Sequence, residues 1–509
     1  MTRAAAWLGS RWAPWAFGAV AAACVFVTWG SLRAWPVLHD EWAYWTQAGQ
    51  YAALHWAEPS PPLPAFFEQL YVLVVPVFAA KYWPGHALTI AAGFALGLPA
   101  LVPLLLTGVA GALVFALARR VAGAGVAVTT FVLWVSTFGN LRFRASYFSE
   151  LTTSAAWLAA WWALLSWRET RRPAWMAALA ACIGWGAITR PPTMFVFAIP
   201  VGLLVLRDVV RAHAWRQLAL GVAVGTAVLG ILPVWSARVT GDWRTTPLAL
   251  YTRHYLPFDV PGYAVRDTPP ERNLPPEMQR VREFLRDIKT EQATAPAWRT
   301  FAERAGFLLR DAFAGWRLPL VIAFAVGLAV AGPAGWFVIA SGVLLVLAYV
   351  TQAHTRDWTV YYLEAFPAVA FVTALGLRRM TASLRERLAT GPGGGRRLAA
   401  AGLTIVATGL VARDAVVARG VLARVASRTV AFRAAVARLP RTPNIVFVRY
   451  AEGRNMHLSL VANDGVLDRA MSWIVHDRGA EDLHLMAAAP DRTPYVFDEA
   501  SGEFREIVR

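Results

Sequence analysis

The feature that most limits how this chain can fold is a series of apolar runs, each about the length that crosses a bilayer core. They lie near 13–31, 97–118, 123–139, 151–167, 174–189, 192–206, 217–236, 318–331, 335–351, 359–376 and 398–413. A lipid core offers the backbone no water, so such runs cross it as helices of about 20 residues. They cover most of the 509 residues, which predicts one all-α polytopic membrane domain of about eleven transmembrane helices rather than several soluble domains. Residues 66–82 are a further apolar stretch, suited to a span or an interfacial helix. The first run has its small residues, Ala21 to Ala23, in mid-run and stays apolar to Val27. It reads as a retained span, not a cleaved leader.

The formal charge is +17. The basic residues are arginines except Lys81 and Lys289, and many sit in short loops: Arg119/Arg120, Arg168/Arg171/Arg172, Arg207/Arg211/Arg216, and Arg378/Arg379 through Arg397. An N-terminus inside places all of these on the cytoplasmic side of a plasma membrane. The segments 32–96, 237–317 and the tail from about 414 then lie outside. No continuous basic face with interleaved aromatics forms, so nucleic acid is not an expected partner. Trp35, Trp42, Trp45, Trp56, Trp83, Trp235, Trp243, Trp316 and Trp358 lie in or beside the outer segments, where indoles favour the headgroup layer. Within 237–317, helices are expected after Pro275-Pro276 and near 297–316, forming a cap on the bilayer surface. Gly391–Gly395 reads as a flexible linker. Polarity rises after the last run. Residues 444–450 and 494–498 read as strands and 480–489 as a helix, which divides the chain into a membrane domain, 1–429, and a small extracytoplasmic α/β appendage, 430–509. Cys24 and Cys182 fall inside runs and imply no disulfide framework. No phosphate-loop, dinucleotide or zinc motif is present, and neither cofactor nor metal is expected.

Acidic residues are scarce, so their positions inform. His39-Asp40-Glu41 opens a helix-like stretch just beyond the first run. Asp40 suits either an N-cap or a general base held at the membrane surface. Glu150 stands at the mouth of a run, where a carboxylate needs a partner or water. Arg142 or Arg144 could pair with it. Arg190, in Thr189-Arg190-Pro191-Pro192, has no acidic neighbour in sequence and is free to meet an anion. His354, Arg356 and Asp357 precede Tyr361 and Tyr362, with Arg356 and Asp357 able to pair. All four places share the outer face. Acids and arginines converging there fit a substrate with an anionic headgroup and an embedded tail.

The ordered set resembles the GT-C superfamily of membrane glycosyltransferases, in particular its protein O-mannosyltransferase and aminoarabinose-transferase branch. It is carried by Asp40-Glu41 with Pro61-Pro62-Leu63, Tyr147-x-Ser149-Glu150, Ala187-Ile188-Thr189-Arg190-Pro191-Pro192-Thr193 and Tyr361-Tyr362-Leu363-x-x-x-Pro367, across roughly 13–376. Two features depart from the branch: His354-Thr355-Arg356-Asp357-Trp358 is not its usual lead-in to the late span, and not all members share the 414–509 tail. The resemblance implies a GT-C-like fold and a sugar moved from a polyprenyl-phosphate donor to a hydroxyl of a glycan, lipid or protein by single displacement. Asp40 maps onto the first-loop acid, the base, with Glu41 beside it; Glu150 maps onto the second acid. The expected substrate-binding residues are Arg144, Arg190, His354, Arg356 and Tyr361, with Arg190 and Arg356 on the leaving phosphate. The rival reading is a lipid or polysaccharide flippase or a secondary transporter. Such proteins place polar sites near the midplane, whereas polar chemistry here gathers at one surface.

Overall fold

The computed structural model describes residues 3–382 and 393–508. A short helix α1 (Arg3–Gly9) leads into α2 (Ala13–Trp29), which ends in a left-handed glycine, Gly30. Then come α3 (His39–Ala52), α4 (Pro84–Ala95), α5 (Leu101–Ala122), α6 (Ala124–Val135), α7 (Phe138–Arg144), α8 (Glu150–Thr170), α9 (Pro173–Ala187) and α10 (Pro191–Ala212). The second half holds α11 (Trp215–Leu229), α12 (Ile231–Thr240), α13 (Pro247–Tyr255), α14 (Pro276–Thr294), α15 (Ala297–Ala312), α16 (Leu320–Ala329), α17 (Gly332–Tyr349) and α18 (Phe366–Met380). Proline at the first turn of α4, α9, α10, α13, α14, α17 and α18 fits its missing N–H and fixed φ.

Among the described residues, five helices are long and apolar enough to cross a membrane, or six if α6 and α7, bent by 67°, form one broken span. The expected count of about eleven is higher because it took shorter apolar helices as spans. Helices α2, α9 and α16 are apolar but only 17, 15 and 10 residues long. Helix α8 has 21 residues, but Thr, Ser and Trp make it less apolar. It is buried by other helices, so it has little lipid to satisfy. Where α16 crosses α18, a Cβ on Gly376 would overlap the Ala323 carbonyl, and one on Gly327 the Val372 carbonyl. Only glycine lets these two backbones approach so closely.

Several expectations change. Residues 66–82 are neither a span nor an interfacial helix. They contain a turn of 3-10 helix, Pro64–Phe67, and strands β2 (Val72–Leu73) and β3 (Val77–Ala80), with β1 (Glu58–Pro59) completing a small sheet. Their apolarity serves protein packing. Phe66, Phe67, Val74 and Phe78 share a core with Ile445, Phe447, Trp473 and Val475 from the C-terminal sheet. Burying one such Phe stabilises by about 1.5–3 kcal/mol. That sheet, in the order β5-β4-β6-β7, pairs β4 (Asn444–Arg449) in parallel with β5 (Ser472–His476) and β6 (Thr493–Asp498); β7 (Glu503–Glu506) runs antiparallel to β6. It thus has two strands beyond those expected.

The apolar run ending at 413 does not end its helix. One helix runs from Gly393 to Val436, past the proposed division at 429/430. Asp414 lies within it, held by the Arg317 guanidinium at 2.8 Å and the Trp316 indole at 2.9 Å. Of the expected linker, 391 and 392 lie outside the described residues, and 393–395 belong to this helix. The tryptophans also differ. Trp42, Trp45 and Trp235 are buried, packed with Trp29, Trp35, Trp56 and Trp83, whereas Trp243 is exposed. Most of these indoles join the first loop to the bundle instead of floating it on headgroups.

Candidate functional site

Helix α3 carries the first acids, and Glu41 fixes its start. One Glu41 oxygen accepts from the Val37 and Leu38 amides at 3.1 and 2.9 Å, and the other from the Tyr147 amide at 3.0 Å. Burial pushes this carboxyl up to about 7. Both oxygens are engaged by backbone amides, and Glu41 ties α3 to the loop before α8. The N-cap is Leu38, not Asp40. Asp40 is freed from capping, and its carboxylate accepts from the Tyr82 hydroxyl.

The C-terminal segment locks α3 from above. Thr46 donates to the Asn463 carbonyl at 3.0 Å, a His39 ring nitrogen meets the Met456 carbonyl at 2.9 Å, and Arg433 stacks over Trp42 at 4.4 Å. A Cβ on Gly465 would overlap the α3 backbone at Thr46 and Gln50.

Lys81 follows β3 and lies beside Asp40. Its ammonium sits over Tyr71 at 4.0 Å, with Tyr251 and Tyr82 at 5.2 and 5.3 Å. Neither Lys81 nor Asp40 makes an ion pair within 4 Å among the described residues. Burial raises the Asp40 carboxyl above its usual range; the Tyr82 hydrogen bond and the charges of Lys81 and Arg190 oppose this. Burial likewise lowers Lys81, against the attraction of Asp259 and Asp40.

Opposite stands a polar knot at the start of α8 and α10. Arg190 is not free: its Nη1 meets Glu150 at 2.7 Å. It also donates to the Ser149 hydroxyl at 3.2 Å and the Tyr349 hydroxyl at 2.6 Å, and lies over the Tyr361 ring at 5.1 Å. The partner of Glu150 is therefore Arg190, not Arg142 or Arg144, because helix packing juxtaposes the first turns of α8 and α10. Behind it, Glu364 accepts from Thr153 at 2.5 Å, while its other oxygen is buried without a partner. Arg190→Gln should leave Glu150 buried and unpaired, at a cost of about 3–5 kcal/mol. The check is thermal melting in detergent, with Glu150→Gln/Arg190→Gln recovering most of the loss.

The other expected residues separate. His354 stacks on Tyr361 at 4.4 Å and reaches the Tyr362 hydroxyl at 2.9 Å. Burial lowers it to about 3, with nearby Arg304 adding to the effect, so its ring is neutral. Arg144 is fully buried behind the site, bonded to Asn140 and Ser154 at 2.7 Å each. Arg356 is half exposed and faces Glu303 at 3.4 Å and Glu291 at 3.8 Å on α15 and α14. The structure thus gathers Asp40, Glu150, Arg190, His354 and Tyr361, and removes Glu41, Arg144 and Arg356. It adds Lys81, Tyr82 and Glu364. Lysine's rarity in this arginine-rich chain was a usable signal for Lys81. Glu364, an acid inside an apolar run, was another. Among the described residues no group of three or more His, Cys, Asp or Glu is arranged to hold a metal ion.

This is a helical, multi-pass membrane protein with a polar site where its first loop, two span mouths and a C-terminal sheet meet. Its fold is the GT-C type. It superposes on the crystal structure of ArnT from Cupriavidus metallidurans bound to undecaprenyl phosphate with TM-score 0.55 and 14% identity, over 95% of this chain and 89% of that one. The apo structure of the same protein gives TM-score 0.53 and 15% identity over the same shares. No family model matches the chain, and no curated protein matches it.

Proposed function

We propose that this protein is a membrane glycosyltransferase that moves a sugar from a polyprenyl-phosphate donor to a hydroxyl acceptor at the outer face of the membrane. One observation carries the reading. Asp40 is a partly buried carboxylate without an ion pair, beside a caged lysine also without one, on a fold shared with a protein crystallised with undecaprenyl phosphate. An acceptor hydroxyl gives its proton to Asp40 as its oxygen bonds to the anomeric carbon. The bond from that carbon to the phosphate oxygen breaks, and polyprenyl phosphate leaves with the electron pair. One displacement inverts the anomeric centre and needs a single base. Lys81 meets the charge growing on the phosphate. Arg190, held by Glu150 and Tyr349, adds positive potential from a fixed position and lines the sugar side with Tyr361 and His354. Arg356 has no part in this scheme.

The test is release of polyprenyl phosphate by detergent-purified protein given a polyprenyl-phosphate sugar and an extracted envelope glycolipid fraction. Donor consumption only when the acceptor is added supports transfer. Uptake of labelled lipid across vesicles without consumption would favour the flippase or transporter instead. The site's side of the membrane has its own check. Cysteine at Ser501 should be labelled by an impermeant maleimide in intact cells, and cysteine at His213 only after permeabilisation. The reverse pattern would put the site inside.

A further inference from the structure

At the end of the bundle remote from Asp40, helices α5, α8, α10, α17 and α18 surround a cavity of about 360 Å³. Its walls are apolar, with Leu158, Trp161, Leu204 and Phe371 among them, and its rim carries Arg168 and Arg207. Helix rise fixes the depth. Arg168 lies about 27 Å along α8 from Glu150, and Arg207 about 25 Å from Arg190 along α10, at about 1.5 Å per residue. A bilayer core is about 30 Å thick, so the rim belongs to the leaflet opposite the site.

The rim has excess positive charge. Arg168, Arg207 and Arg171 all converge on Asp208, at 2.8, 2.9 and 3.6 Å. One carboxylate cannot neutralise three guanidiniums, and one Arg171 nitrogen is buried without a hydrogen-bond partner. Arg168 and Arg207 stay over a third exposed, so an incoming anion can reach them. An apolar slot below a cationic rim complements one kind of molecule, an amphipathic anion.

We propose that this cavity binds an anionic phospholipid of the leaflet opposite the candidate active site. One acyl chain fills the slot, and the phosphate rests against Arg168 and Arg207. A polyprenyl tail threaded from the Asp40 end would satisfy the walls but leave the guanidiniums without an anion. The site is separate from the reaction proposed above, and its test does not use turnover.

The experiment is native mass spectrometry of delipidated full-length protein, titrated with phosphatidylglycerol or phosphatidylcholine of identical chains. The parent should prefer phosphatidylglycerol by at least about fivefold, given about 1 kcal/mol per basic contact. Arg168→Gln/Arg207→Gln, which keeps Arg171 on Asp208, should abolish the preference while the protein stays folded and its phosphatidylcholine binding is unchanged. Ala334→Trp, which fills the slot from its wall, should weaken both lipids. Equal binding by the parent, or an unchanged preference in the double variant, would overturn the proposal. So would undecaprenyl phosphate displacing phosphatidylglycerol and losing its own binding in Ala334→Trp, because the slot would then hold the donor's tail.

Discussion

Asp40→Asn is expected to slow turnover by about 10²–10⁴-fold, the usual worth of a positioned general base, while expression and melting temperature stay near the parent's. The amide has the size of the carboxylate and keeps an oxygen for the Tyr82 hydroxyl. The start of α3 does not depend on Asp40, since Leu38 is the N-cap and Glu41 holds the free amides. A large loss of rate in a well-folded variant therefore isolates the proton transfer. Release of polyprenyl phosphate at saturating donor is the readout. A rate within about threefold of the parent would remove Asp40 from the chemistry. The pH dependence has a definite sign. The base works deprotonated, so activity falls as pH drops through its pKa. Burial raises that pKa, so the acid limb lies above the ordinary carboxylate range.

Lys81→Met should cost about 10²–10³-fold in kcat, the scale seen when one donor aimed at developing charge is removed. Folding should survive for a physical reason. The ammonium makes no ion pair, and its neighbours are aromatic faces, against which a thioether packs favourably. The same variant tests the link to Asp40. Lys81 lowers the Asp40 pKa, so its loss should move the acid limb of the pH–rate profile to higher pH. A drop in kcat with an unmoved limb would place Lys81 on the phosphate but out of reach of Asp40. An unchanged kcat would return the phosphate to Arg190 alone.

Arginine at the N-cap of α10 and an acid in the first turn of α8 were each visible in sequence, but not as a pair. They are 40 residues apart, and the 2.7 Å contact exists only because α8 and α10 pack with their first turns together. The same holds in reverse for Arg356. Its sequence neighbour Asp357 suggested a local pair, yet its contacts are Glu291 and Glu303 from the large loop. Asp40 and Glu41 are adjacent and alike in type. The fold separates them: Glu41 is held by the backbone amides at Val37, Leu38 and Tyr147, and Asp40 by the Tyr82 hydroxyl.

Local sequence was enough to set the membrane class and the positions of most helices, and to single out the few acids near span mouths. Those properties follow from local hydropathy and from the cost of charge in lipid, which adjacent residues alone can express. It also marked Asp40, Glu150, Arg190, His354 and Tyr361, which the fold does bring together. The tertiary structure alone decided which apolar segments face lipid and which face protein. Residues 66–82 form an apolar stretch, and Trp42 and Trp235 carry large apolar rings, but a sheet from the far end of the chain and a neighbouring helix cover them. Hydropathy measures the wish to leave water and does not say what receives the surface. Pairing was likewise left to the fold, because a charge at a helix mouth can be satisfied by any partner that packing brings within about 4 Å.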